Sequence, residues 1–111
     1  MSVRMNSPWL DFNASEVAAI GGYLGVYEVR TRDGEIVRIG YAGGLSQFGL
    51  RGELENLLAR YGNGFVQLRV EITSSYLSRY QELVAVHLND HGRMPCDNVD
   101  DPSRFGVVTP A

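Results

Sequence analysis

The sequence predicts an α+β fold in which a small three-stranded antiparallel sheet is flanked by helices, in the order α-β-β-α-β-α. Two β-rich runs around an Asp-Gly pair predict a hairpin, and two segments with helical apolar spacing enclose a third, alternating run. The chain of 111 residues suffices for one hydrophobic core. We therefore assign residues 1–111 to one domain with its core at 24–98, on which an N-terminal helix and a C-terminal tail pack.

The first predicted element is a short helix between Asp11 and Ile20. Asn13 stands three residues before Glu16, which is the spacing of a capping box at a helix start. Two glycines, at positions 21 and 22, follow Ile20 and end the helix. The segment therefore predicts a helix that packs beside the sheet.

The hairpin comprises residues 24–30 and 35–41, and Asp33-Gly34 tolerates the positive φ angles of its turn. If Arg30 pairs with Glu35, Tyr27 lies opposite Arg38. A two-residue loop shifts the pairing by two and leaves both side chains on one face.

Glycines lie beside Tyr27 at positions 25 and 40 of the hairpin. A glycine in a strand leaves space above the sheet, into which another backbone can fit. We therefore expect Gly25 and Gly40 to allow a nucleic-acid backbone to approach the sheet.

Three more elements follow the hairpin. Apolar residues recur at helical spacing over residues 50–61 and end at Gly62, and residues 65–72 alternate as a half-buried strand does. Thr73-Ser74-Ser75 then offers N-cap side chains for a helix that runs to about residue 91 and ends at Gly92. Its predicted buried stripe consists of Tyr76, Leu77, Tyr80, Leu83, Val84, His87 and Leu88.

Composition and charge narrow the class of protein. No apolar run approaches the roughly 20 residues that span a bilayer, and residues 1–10 lack a signal-peptide pattern. Cys96 is the only cysteine, which excludes an intrachain disulfide and fits a reducing compartment. Together these features predict a cytoplasmic protein without a membrane anchor. The net charge of −3 argues against a free-standing DNA binder, although all ten basic residues are arginine, which suits bidentate phosphate contacts.

Five short elements occur in a distinctive order: Gly25-Val26-Tyr27, Arg38-Ile39-Gly40, Arg51, Glu82 and Asn98. The order and spacing of these elements resemble those of the GIY-YIG nuclease superfamily over residues 24–98. The resemblance implies a metal-dependent endonuclease that hydrolyses phosphodiester bonds in DNA.

The resemblance also implies roles for the matching residues. Tyr27 would activate the attacking water, Arg51 would hold the scissile phosphate, and Glu82 would bind Mg²⁺ or Mn²⁺. One carboxylate suffices because Mg²⁺ keeps waters and takes phosphate oxygens as further ligands. The supporting residues, which would contact nucleic acid or order the site, are Arg38, Gly40 and Asn98.

The chain departs from the superfamily at two positions. Arg38 replaces the second tyrosine; its guanidinium would favour the Tyr27 phenolate and lower its pKa, or clamp a phosphate oxygen. Glu55 replaces a His or Tyr in the middle helix.

These departures leave a second hypothesis open, a catalytically impaired module of the same fold that binds nucleic acid or protein. In a third, a partner protein supplies the DNA affinity and specificity.

One further pair, His87 and His91, lies four residues apart on one helix face, a spacing that can chelate zinc. Neither a third histidine nor a suitably placed cysteine accompanies them in the sequence. We therefore expect His87 to be a core residue and not a metal ligand.

Overall fold

The computed structural model describes residues 4–44, 48–61, 66–95 and 98. The C-terminal tail, predicted to pack on the core, and Cys96 lie outside these residues. The helices and strands follow in the order β1 (Leu10–Asp11), α1 (Ala14–Ile20), β2 (Gly25–Thr31), β3 (Ile36–Ala42), α2 (Gly49–Tyr61), β4 (Val66–Ile72) and α3 (Tyr76–His91).

The predicted three-stranded sheet, with the order α-β-β-α-β-α, is wrong. The described residues form a four-stranded antiparallel sheet in the order β1-β4-β2-β3, because Leu10 and Asp11 pair with Leu68 and Gln67 of β4. A strand of two residues has no measurable periodicity, and it exists because the edge of β4 supplies its partner.

Local signals correctly placed the start of α1 and the end of α3, whereas the predicted side-chain cap of α3 is wrong, because its N-cap Ser75 makes no side-chain hydrogen bond. The side chain of Asn13 accepts a hydrogen bond from the Glu16 amide at 2.9 Å, which confirms the cap of α1. At the other end of the chain, Gly92 adopts the left-handed conformation, with φ 73°, and its amide donates to the Leu88 carbonyl at 2.7 Å. Such ends need only neighbouring residues, so they are readable from sequence.

The hairpin has a register that combines a loop and a bulge. The amide of Thr31 donates to the Glu35 carbonyl at 2.9 Å, and a β-bulge between Val29 and Arg30 then shifts the pairing by one residue. Tyr27 therefore lies opposite Gly40, as the two-residue loop predicts, and not opposite Arg38. The predicted common face of Tyr27 and Arg38 is confirmed by a hydrogen bond between them.

Helices cover both faces of the sheet. Tyr27 and Val29 belong to a buried cluster with Leu50, Leu54 and Leu57 of α2 and with Val17 of α1. A second cluster joins Val26 and Ile39 to Tyr80 and Leu83 of α3. Because successive strand residues point to opposite faces, α2 and α3 lie on opposite sides of the sheet.

Helix α3 buries a narrower stripe than predicted. Tyr80, Leu83 and His87 are buried, whereas Leu77 and Leu88 are exposed. No helix among the described residues is long and apolar enough to cross a membrane.

Candidate functional site

Tyr27 lies on the central strand β2, and its side chain is 0% exposed. The Arg38 Nε donates to the Tyr27 hydroxyl oxygen at 3.3 Å, and Arg38 is itself only 4% exposed. The Arg38 guanidinium thus lies beside the Tyr27 phenol, in the layer between the sheet and helices α1 and α2. Because Tyr27 is fully buried, its hydroxyl is shielded from solvent.

The two glycines beside Tyr27 do not open the sheet to a ligand. A Cβ on Gly40 would clash with the Tyr27 ring, and one on Gly25 would clash with the Glu71 carbonyl oxygen. The space above Gly40 is therefore filled by Tyr27 itself, and the expected approach of a nucleic-acid backbone at these glycines is wrong.

Asn98 caps the outer edge of β3 with its side chain. Its Oδ1 accepts from the Ile39 amide at 2.9 Å, and its Nδ2 donates to the Ile39 carbonyl oxygen at 2.7 Å. Nδ2 also lies 3.5 Å from the Tyr80 hydroxyl. Asn98 is 1% exposed, so its side chain completes the hydrogen bonding of the β3 edge at a buried position.

Glu82 lies on α3, where its side chain is 53% exposed. Its carboxylate accepts from Arg79 at 3.1 Å, and Arg79 also makes two hydrogen bonds, at 2.8 and 3.0 Å, to Glu71 of β4. Glu71 pairs in register with Val26, so both point to the α3 side of the sheet. The structure therefore brings Tyr27 and Arg38 together but keeps Glu82 on the opposite face.

Glu82, the expected metal ligand, is paired with the Arg79 guanidinium. A divalent cation bound by this carboxylate would have to displace Arg79. Within residues 4–44, 48–61, 66–95 and 98, no group of three or more His, Cys, Asp or Glu side chains could hold a metal ion. On the same helix as Glu82, the ring centroids of His87 and His91 lie 4.4 Å apart.

Arg51 lies in the first turn of α2 and is half-buried. Its amide donates to the Gly21 carbonyl oxygen at 3.1 Å. Its guanidinium makes no hydrogen bond or ion pair with any described residue. Of the predicted site residues, Arg51 alone thus carries a charge without a described partner.

Three loop segments converge near Arg51, at the end of the sheet where β2 begins and β4 ends. Leu50 donates to the Tyr23 carbonyl at 2.8 Å, and Thr73 donates to the Leu24 carbonyl at 3.0 Å. We call the surface formed by residues 21–24, 48–51 and 72–77 the loop end. These segments contain no Asp or Glu, and neither α2 nor α3, which both start here, has an acidic residue in its first turn.

The sequence did not single out the aromatic side chains of the loop end. Tyr23 is 57% exposed and Phe48 is 59% exposed, although both are large and apolar. Phe48 also has a φ of 65°, which bulky residues rarely adopt. The available signal was an aromatic residue directly beside glycines, in Gly22-Tyr23 and Phe48-Gly49.

A second polar region lies under α3. Arg69 donates to the buried Glu28 carboxylate at 2.7 Å, and burial raises the pKa of Glu28 despite this partner. Burial, and then the neighbouring His91, lowers the pKa of His87 below its ordinary 6.5. These groups, with Arg4 and Asp90 paired at 2.8 Å, line a cavity of about 90 Å³ whose arginines are already paired with carboxylates.

Comparison with known proteins identifies one family. A family model described as "Domain of unknown function (DUF7508)" matches residues 1–90. No curated protein and no solved structure matches the chain.

Proposed function

The chain belongs to the DUF7508 family, and we propose that it is a nucleic-acid-binding domain that holds phosphate at the loop end and does not hydrolyse it. The observation that carries this proposal is the Arg51 guanidinium, which has no partner among the described residues, at a loop end whose segments contain no Asp or Glu. The sequence elements that resemble the GIY-YIG superfamily support nucleic acid as the ligand, with DNA before RNA.

The charge distribution favours an anion at the loop end. The chain carries a net charge of −3, which by itself repels a polyanion. At the loop end, however, Arg51 lies near the start of α2, and the positive end of the α3 dipole is at the same end of the sheet. The first-turn amides of α3, residues 76–78, donate to no described group, and the Ser75 side chain does not cap them.

Two placements argue against hydrolysis at Tyr27. A general base must reach the water that it deprotonates, and the Tyr27 hydroxyl is buried beneath packed helices. Glu82, the expected metal ligand, lies across the sheet and pairs with Arg79. A phosphate held at Arg51 would therefore find the Tyr27 hydroxyl buried and Glu82 across the sheet, which favours binding without cleavage.

A metal-dependent endonuclease using Mg²⁺ or Mn²⁺ is the second candidate. The hydrogen bond between Arg38 and Tyr27 favours it, since a guanidinium beside a phenol stabilises the phenolate. Cleavage would then require a rearrangement that exposes Tyr27. In either case we propose a cytoplasmic protein whose sequence specificity comes from a partner chain.

Binding and cleavage are measured together. Labelled single-stranded and duplex DNA, and RNA, are titrated with the protein at several salt concentrations. Arg51→Gln is expected to weaken binding on the order of tenfold and to reduce the slope of log affinity against log salt by about one. The matched control is Arg60→Gln, at the other end of α2 and exposed, which should leave both unchanged.

The same oligonucleotides are incubated with Mg²⁺ or Mn²⁺ beside Tyr27→Phe and Glu82→Ala. No cleavage is expected. Cleavage that both substitutions abolish would establish the nuclease instead, and equal effects of Arg51→Gln and Arg60→Gln would remove the loop end as the binding surface.

A further inference from the structure

We infer that Tyr23 and Phe48 are a base-stacking surface, and that the loop end therefore selects single-stranded nucleic acid over duplex. This inference rests on the proposed function and adds the class of ligand. It is carried by the exposure of two aromatic side chains in the hydrogen-bonded segments 21–24 and 48–51, the second of which contains Arg51.

The two rings belong to backbone segments in direct contact. The Leu50 amide donates to the Tyr23 carbonyl oxygen at 2.8 Å, and a Cβ on Gly22 would lie 3.1 Å from the Phe48 carbonyl oxygen. Both side chains nevertheless remain more than half exposed. Two apolar rings thus face solvent from adjoining loops.

The Phe48 backbone holds its ring in an uncommon conformation. A positive φ is rare for a bulky residue, and surrounding contacts must maintain it. Here the Phe48 carbonyl accepts from the Gly52 amide at 3.3 Å, in the first turn of α2. The ring is therefore presented from the start of a helix of 13 residues, beside Arg51.

The chemistry of the surface favours nucleic acid over a protein partner. A protein partner would also use exposed apolar side chains, and Leu24 and Ile72 of the loop end are exposed. However, the segments of the loop end contain no Asp or Glu, and the Arg51 guanidinium has no partner in the part of the chain that the structure describes, which complements a polyanion. Aromatic faces next to a phosphate-binding cation are the combination that single strands need.

The rings distinguish single strands from duplexes. In a duplex each base is already stacked on its neighbours, so its face is not available to a side chain. In a single strand the bases can separate and stack on aromatic rings. A surface that combines one phosphate contact with two aromatic rings thus gains more binding free energy from a single strand than from a duplex.

The test is fluorescence anisotropy with a labelled oligothymidine, the same length of duplex, and an oligothymidine with abasic sites. Tyr23→Ala and Phe48→Ala are each expected to weaken oligothymidine binding about tenfold and to leave duplex binding nearly unchanged. The abasic strand should bind wild type about as weakly as the combined variant Tyr23→Ala/Phe48→Ala binds oligothymidine. The control is Leu88→Ala, an exposed apolar residue in the last part of α3, which should bind as wild type does.

Other outcomes separate the two proposals. If Arg51→Gln weakens binding but the ring variants and the abasic strand do not, stacking is overturned and phosphate binding stands. If no oligonucleotide binds, both fail. If wild type self-associates at rising concentration and the ring variants do not, the rings form an interface between copies, which also overturns stacking. Far-UV circular dichroism and urea unfolding confirm that each variant is folded.

Discussion

Replacing Asn98 by alanine is expected to destabilise the sheet through its β3 edge. The Asn98 side-chain amide satisfies both backbone groups of Ile39, with hydrogen bonds of 2.9 and 2.7 Å. Both residues are buried, so water does not replace these bonds without rearrangement. The substitution thus leaves one buried donor and one buried acceptor without partners.

The expected loss of unfolding free energy follows from these two groups. An unsatisfied buried donor or acceptor costs about 1–3 kcal/mol, so two groups, partly relaxed, cost about 2–4 kcal/mol. For a domain of this size the midpoint of thermal unfolding should fall by roughly 10 °C or more. Asn98→Asp keeps the acceptor but places a charged oxygen against the Ile39 carbonyl, and it should destabilise at least as much at neutral pH.

Urea unfolding measures the free energy, and hydrogen exchange of the Ile39 amide reports the local bond. The matched control is Asn89→Ala, an exposed asparagine on α3, whose stability should stay within about 0.5 kcal/mol of wild type. An unchanged Ile39 exchange rate, or an Asn98→Ala variant as stable as this control, would refute the reasoning. Lost nucleic-acid binding in a variant of normal stability would assign Asn98 to a ligand instead.

Three further perturbations test the interior. Gly40→Ala should cost about 1–3 kcal/mol, because its Cβ meets the buried Tyr27 ring; in a Tyr27→Leu background the same change should be nearly neutral, and additive costs would contradict the contact. Arg69→Met should cost roughly 3–5 kcal/mol by leaving the buried Glu28 carboxyl unpaired, whereas adding Glu28→Leu should recover most of it. The lowered pKa of His87 means that the unfolded state takes up the proton first. Stability should therefore fall, relative to His87→Gln, as pH drops below about 6.5, and parallel pH profiles in urea unfolding would oppose this.

The elements of this domain were largely readable from local sequence, whereas their pairing was not. Asn13 and Glu16 set the start of α1, and Gly92 ends α3, because each acts on amides or carbonyls within one turn. The bulge between Val29 and Arg30 carries no comparable local signal, since it depends on how two strands pack. Strand β1 is likewise defined by the edge of β4.

The candidate site shows the same division. The sequence placed Tyr27 and Arg38 on one face, since strand alternation is a property of the backbone. It did not reveal that Gly40 makes room for the Tyr27 ring and not for a ligand. Nor did it indicate that Tyr23 and Phe48 are exposed, because exposure depends on which neighbours fold over a residue.

By itself, the sequence determined where helices and most strands form, because capping, turn chemistry and apolar spacing act over a few residues. Only the tertiary structure decided which side of the sheet each helix covers. Helix α2 packs against Tyr27 and α3 against Val26, so the sheet separates Tyr27 from Glu82. The physical reason is that the side on which a helix packs depends on burial of its apolar stripe against distant strands, a contact that linear spacing does not encode.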